Sequence, residues 1–370
     1  MRLVTLAILA SVSLLAACIP ASSVPKRVPE AGVHVFLWGN FDTSSRDLKL
    51  AKDGGFTWVK QRFEWRYIEG NGKGRFEWNE PDRLMKGIDD AGLKVIARLD
   101  NQPNWARADG LFPRSGPPDR MSDWVDFVTA VATRYKGRID AYEIWNEPNL
   151  SVEWGDRAPD AAEYVALLRA SYQAIKRVDP DALVVTAGLS PTTDTSERAR
   201  PDVVYLREMY AAGAKGSFDL LGVHAAGFKA PPEADPGTVA LDAALTNNDP
   251  SPPPQRRVYS FRHAEDLRAI MIEQGDADHK VAILEMGWTS DPRPDSPYRW
   301  HSVTEPEKAD YLARAFKFAW ANWDWAAFMT VLYLPDPTWN RDHEQLYWSI
   351  TNPDGTPREA YRALQPVLRS

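Results

Sequence analysis

Tyr142-Glu143-Ile144-Trp145-Asn146-Glu147-Pro148-Asn149 and Val281-Ala282-Ile283-Leu284-Glu285-Met286-Gly287-Trp288 are two short apolar runs of β type, each reaching a glutamate near its end. Working outward from them, similar runs recur along the chain at 33–40, 57–65, 94–100, 139–147, 182–189, 218–225, 280–286 and 326–334. Amphipathic helical stretches separate them, at 46–53, 82–91, 122–135, 161–178, 203–212, 264–274 and 305–320, and a last one at 357–368 follows the eighth run. Strands alternating with helices predict a parallel sheet with helical crossovers, and eight such units predict closure into a single (β/α)₈ barrel, a TIM barrel. A doubly wound open sheet is the competing α/β fold, but no glycine-rich fingerprint follows the first strand where such a fold binds a dinucleotide.

Helix ends support this division. Gly92, Gly213 and Gly275 each follow a helical pattern, where a left-handed residue closes the last turn, and a strand follows each. No repeat beyond the βα unit and no second domain are visible, so residues 33–370 read as one catalytic-sized domain. The compositional break at 229–257, which contains Pro231-Pro232 and Pro252-Pro253-Pro254, falls after the sixth strand. It reads either as a lid or cleft wall or as an inert surface loop.

The first residues read as a targeting segment. Met1-Arg2, an apolar run over 3–17 and Leu15-Ala16-Ala17-Cys18 predict a lipoprotein signal peptide over 1–17, with lipidation at Cys18. The run is shorter than the roughly 20 residues a permanent membrane helix needs. Cys18 is the only cysteine, so a disulfide within the chain is impossible. An ordinary secretory signal is the alternative; in either case the expected location is outside the cytoplasm, on the cell envelope or secreted. Residues 18–32, with Pro20, Pro25 and Pro29, read as the lipidated cysteine and a tether.

Composition excludes several functions. A 370-residue chain with 44% hydrophobic and 26% charged residues can bury a large core. A net charge of −7 with no basic run argues against nucleic acid as partner. The six histidines lack metal-ligand spacing and no serine lies in a nucleophile elbow, so neither metal nor other cofactor is expected.

The glutamates carry the chemistry. Active sites of parallel barrels lie at the C-terminal ends of the strands, where Glu147 and Glu285 end the fourth and seventh. The two-residue strand period places Val281, Ile283 and Glu285 on one side, so Glu285 is expected to continue a row of barrel-filling aliphatics. A structural ion pair, for example with Arg62, explains one such glutamate. Two at strand ends meet the need of glycosidic cleavage for one carboxyl that protonates the leaving oxygen and a second carboxylate across the anomeric carbon. Fifteen tryptophans also suit sugar binding, since their faces stack on pyranose rings. Trp38, Trp65, Trp105, Trp145, Trp154, Trp288 and Trp339 fall at or after strand ends, with core packing the alternative for any one; Trp320, Trp323 and Trp325 read as core.

Asn146-Glu147-Pro148, Glu285-Met286-Gly287-Trp288 and Arg62 resemble the clan of retaining glycoside hydrolases with (β/α)₈ barrels. The stretches 69–78, 82–85 and 94–106 look most like its family of β-xylosidases, α-iduronidases and biofilm-polysaccharide hydrolases, family 39; family 5 cellulases are also similar. The resemblance implies Glu147 as acid and base, Glu285 as nucleophile, Asn146 as ligand of the sugar 2-hydroxyl, and Arg62 as the cation that keeps Glu285 ionised. His224 and Tyr333, at positions the clan uses, join Trp38, Trp105, Trp288 and Trp339 from the strand ends in the expected substrate-binding set. The chain departs from the clan in three places. Ala225-Ala226 follow His224 where many members have a tyrosine two residues on, Asp100-Asn101 replace a histidine of some relatives, and Tyr333 replaces a frequent tryptophan. The implied activity is double-displacement hydrolysis of a β-linked polysaccharide or oligosaccharide, endo-action suiting a row of tryptophans. Rival readings are a catalytically silent glycan-binding lipoprotein, which has no need of the glutamate pair, and an exopolysaccharide assembly factor.

Overall fold

The computed structural model describes residues 28–109 and 115–370. The signal segment, Cys18 and the tether up to residue 27 lie outside the described residues. Eight parallel strands close into a barrel in sequence order. They are β1 (Glu30–His34), β2 (Trp58–Glu64), β3 (Lys94–Asp100), β4 (Ala141–Ile144), β5 (Leu183–Thr186), β6 (Leu220–Ala226), β7 (Lys280–Gly287) and β8 (Ala326–Val331). The fold is the single (β/α)₈ barrel read from the alternation.

Helix bounds agree with the apolar periodicity to within about three residues, as at Ala161–Val178 and Glu305–Asn322. Gly92 shows why such ends are legible. It takes φ 63°, and its N–H closes onto Ile88 and Asp89, a conformation that favours glycine. The expected first strand is displaced: β1 begins at Glu30, inside the segment read as tether, and ends at His34. Val35 and Leu37 extend the apolar run because they are buried in the loop beyond it, which misled the period count.

Two apolar layers enclose the wall. The outer one lies between strands and helices. The inner one, made of Trp58, Ile96, Ala141, Val185, Leu220, Ala282, Leu284 and Phe328, plugs the lower barrel. Val281 and Ile283 belong to the outer layer. The expectation that they share a face with Glu285 is therefore corrected. Pairing runs Val223 with Ile283 and then His224 with Glu285, so Leu284 is an extra residue in β7. A β-bulge of this kind reverses the alternation, turning Glu285 into the barrel beside Leu284.

The segment 229–257 is folded, with helices Pro236–Leu241 and Pro253–Arg256. Asp249 ties it to the loop after β5, accepting from Thr193 Oγ1 at 2.7 Å and Tyr259 Oη at 2.5 Å. At the start of the helix Ala264–Glu273, His263 is buried between Asp266 at 2.9 Å and Asp202 at 2.8 Å. Burial alone would lower its pKa, but the two carboxylates raise it to about 9. A raised histidine stabilises the fold fully below its unfolded value near 6.5, and that contribution fades as pH rises through 9. Urea unfolding from pH 6 to 10 is expected to show this decline, and His263→Gln to remove it.

Candidate active site

Above the apolar plug the barrel interior turns polar. Lys60, on β2, is fully buried and lies 3.0 Å from Glu143 Oε2 and 3.2 Å from Glu285 Oε1. Arg98, on β3, reaches Glu285 Oε1 at 3.5 Å and Asp100 at 2.8 Å. His34 and His224 approach the same Glu285 oxygen at 4.0 and 3.9 Å. Burial alone would raise the Glu285 pKa, but His224, Lys60, His34 and Arg98 together hold this carboxyl well below the usual carboxylate range.

This corrects the role read for Arg62. Its guanidinium pairs with Glu64 at 3.3 Å and Asp100 at 3.6 Å instead of Glu285. Lys60 shares the strand face of Arg62 but lies one pleat, about 6.6 Å, deeper. Lys60 therefore meets Glu285 and Arg62 faces the rim.

Glu147 sits in a different setting. His224 Nδ1 lies 3.0 Å from Glu147 Oε1, so one imidazole ring spans the space between the two glutamates. Burial would lower the pKa of His224, but Glu285 and Glu147 raise it. Trp145 and Glu147 have φ of 74° and 38°, left-handed values that cost a non-glycine residue about 1–3 kcal/mol and cluster at functional sites. The hydrogen bond from Glu147 N to Gly188 O, 3.1 Å, pins this turn. Asn146 is clamped between Arg98 Nη1, which donates to its oxygen at 2.9 Å, and Glu153 Oε1, which accepts from its amide at 3.1 Å. Burial and the Glu147 charge push the Glu153 carboxyl up to about 7.

Gly188 is required by the imidazole. A Cβ there would meet His224 Cδ2 at 2.1 Å and Nε2 at 2.3 Å. Gly188→Ala is expected to displace His224 from both glutamates, lowering kcat/KM about a hundredfold in steady-state assays and the melting temperature as well, because the displaced ring is buried.

The remaining predicted residues divide. Tyr333 packs edge-on against His34 at 5.4 Å, and Trp339 covers Phe36 and Tyr333 at 4.7 and 5.3 Å. Burial, then the charges of Glu285, Glu344 and Glu147, push the Tyr333 phenol well above its ordinary value. Trp38 stacks on Tyr67 and, with Phe36, Gln61, Arg62, Glu64 and Asp336, lines a pocket of about 310 Å³. Trp105 does not join them: half-buried in the loop after β3, its indole donates to Glu69 O at 2.7 Å and packs on Trp65. Trp288 is fully buried, its indole donating to Ala230 O at 2.9 Å, and it packs on Phe261 and Tyr311. Trp65, Trp145 and Trp154 are core as well. Trp288→Ala is accordingly expected to cost about 3–5 kcal/mol of stability in denaturant melts. Trp38→Ala is expected to leave stability nearly unchanged while raising KM.

Sequence reasoning missed Lys60, Arg98, Glu143, His34 and Glu153. For the first four the signal was a polar or charged residue within an otherwise apolar strand run, which an interior tolerates only when it is paired, whereas Glu153 lies in the turn after β4 and carried no such signal. Among the described residues no group of three or more His, Cys, Asp or Glu is placed to hold a metal ion. No helix among them is long and apolar enough to cross a membrane.

The sequence model of the cellulase family, glycosyl hydrolase family 5, matches residues 22–219, more than half of the chain. The chain belongs to glycosyl hydrolase family 5. The matched segment includes Asn146-Glu147-Pro148 and stops before Glu285. Among solved structures, this family 5 chain is similar to a family 39 glycoside hydrolase from Bacteroides cellulosilyticus. They share 18% identity with a TM-score of 0.68, over 92% of this chain and 63% of that one. It is also similar to xylanase 10B from Thermotoga maritima, at 14% identity and TM-score 0.58, over 92% and 94% of the two chains. An exo-β-1,4-mannosidase from an Opitutaceae bacterium gives 15% and 0.57, over 92% and 59%. At these identities the likeness is one of fold. The chain spans less than two thirds of the family 39 and mannosidase chains.

Proposed function

We propose that this family 5 glycoside hydrolase cleaves β-linked polysaccharide or oligosaccharide with retention, Glu285 acting as nucleophile and Glu147 as acid and base. The supporting observation is the asymmetry between the glutamates. Glu285 is surrounded by Lys60, Arg98 and two histidines, the setting of a carboxylate kept ionised for attack. Glu147 pairs with His224 alone among the described residues. In the first step Glu285 bonds to the anomeric carbon while Glu147 protonates the departing oxygen. In the second, Glu147 takes a proton from water, which displaces Glu285. In this reading Asn146, held by Arg98 and Glu153, binds the sugar 2-hydroxyl. The aromatic bank of Phe36, Trp38, Tyr67, Tyr333 and Trp339 offers stacking surface for neighbouring sugars.

The test is to incubate the chain from residue 26 onward with a panel of β-linked glycans and follow new reducing ends by proton NMR. β-Anomers appearing first support double displacement. α-Anomers first, or no release from any glycan, would sink it. We also propose that the protein is exported and anchored through a lipidated Cys18. Detergent partitioning of the full chain into the lipid phase, lost in Cys18→Ser, is the matching test.

A further inference from the structure

Glu143 touches no substrate in the double displacement, yet it is held fully buried beneath the nucleophile. In the resting enzyme Lys60 lies between two carboxylates, Glu143 at 3.0 Å and Glu285 at 3.2 Å. Attack forms a bond from a Glu285 oxygen to the anomeric carbon. The bond from that carbon to the leaving oxygen breaks, its electron pair stays on that oxygen, and the oxygen takes the proton of Glu147. One negative charge thus vanishes from Glu285 and appears on Glu147, beside His224 at 3.0 Å. Lys60 has no exposure through which water could replace the lost partner. A buried cation deprived of its counter-ion is strongly destabilising, so the covalent intermediate would be penalised.

We propose that Glu143 is a standing counter-ion, a positioning residue that holds the charge of Lys60 while Glu285 is esterified. The inference rests on Glu285 being the nucleophile. The groups facing this pair are Glu285 on β7, Arg98 on β3, His224 on β6 and His34 on β1, with Leu284 O accepting from Lys60 at 3.5 Å. Burial raises the Glu143 carboxyl on balance, against the opposing pull of Lys60, Arg98 and His224, and the Glu285 charge adds to the upward push. Esterification removes that last contribution, so Glu143 becomes the better anion at the moment Lys60 needs one.

Glu285→Gln provides the neutral nucleophile permanently, without substrate. The experiment is a melting cycle in the full chain: wild type, Glu143→Gln, Glu285→Gln and the double variant. Glu143→Gln is expected to lower the melting temperature by several degrees more in the Glu285→Gln background than in wild type. Adding Lys60→Met is expected to abolish that excess, because no cation is then stranded. Equal losses in the two backgrounds would overturn the proposal. If the double variant does not fold, Lys60→Met is expected to restore it, and failure to do so is equally fatal. Product stereochemistry tests the double displacement and the melting cycle needs no turnover, so the two readings can fail separately.

Discussion

Glu285→Gln is expected to lower kcat about 10⁵-fold on every glycan the wild type cleaves, because an amide has no anionic oxygen to form the glycosyl ester. The reason lies in the surroundings as much as in the residue. Lys60, Arg98, His34 and His224 converge on one oxygen, and that concentration of positive charge favours the anion the attack consumes. The same clustering sets the pH behaviour. A carboxyl held low stays ionised as acid is added, so the acidic limb of kcat/KM in wild type is expected to lie below the ordinary glutamate range. Lys60→Met is expected to move that limb upward. The check is a pH series on purified variants whose circular dichroism matches wild type. Retention of more than about a hundredth of wild-type kcat in Glu285→Gln would exclude it as nucleophile.

Glu147→Gln is the second large effect, and its signature depends on the leaving group. Loss of a positioned acid is expected to slow the first step about 10²–10⁴-fold for a natural glycan, whose departing alkoxide needs a proton. A 2,4-dinitrophenyl glycoside departs unaided, so its first step is expected to be nearly unaffected. The second step still lacks its base, and the covalent intermediate is expected to accumulate as a burst in stopped-flow traces. Azide, which needs no deprotonation, is expected to discharge it to the β-glycosyl azide. Equal losses for both substrates, with no burst, would mean that Glu147 acts otherwise.

The eight βα units were legible because the strands carry apolar runs and the helices a 3.6-residue period, several of them followed by a glycine such as Gly92. The two glutamates were legible because strand ends are where this architecture exposes side chains. The inner face of β7 was not legible: a single extra residue, Leu284, reverses the alternation, and nothing in a run of Val, Ala, Ile and Leu marks the reversal. Arg62 was misjudged for a related reason. Periodicity fixes the face but not the depth, and Lys60 and Arg62 share a face. Trp288 follows Glu285 as closely as a sugar-stacking residue would, but it lies against Gly227. A Cβ on that glycine would come within 1.8 Å of the indole, so the close approach of two chain segments buries the ring.

The chain enters the barrel on the side away from its mouth. Glu30 opens β1 at the floor of the barrel, opposite the ends of β4 and β7 that carry the glutamates, and the Trp320 indole holds Pro29 O there at 3.0 Å. If Cys18 carries the lipid, the residues between it and Glu30 reach at most about 40 Å. The bilayer would then lie beneath the barrel with the mouth turned outward.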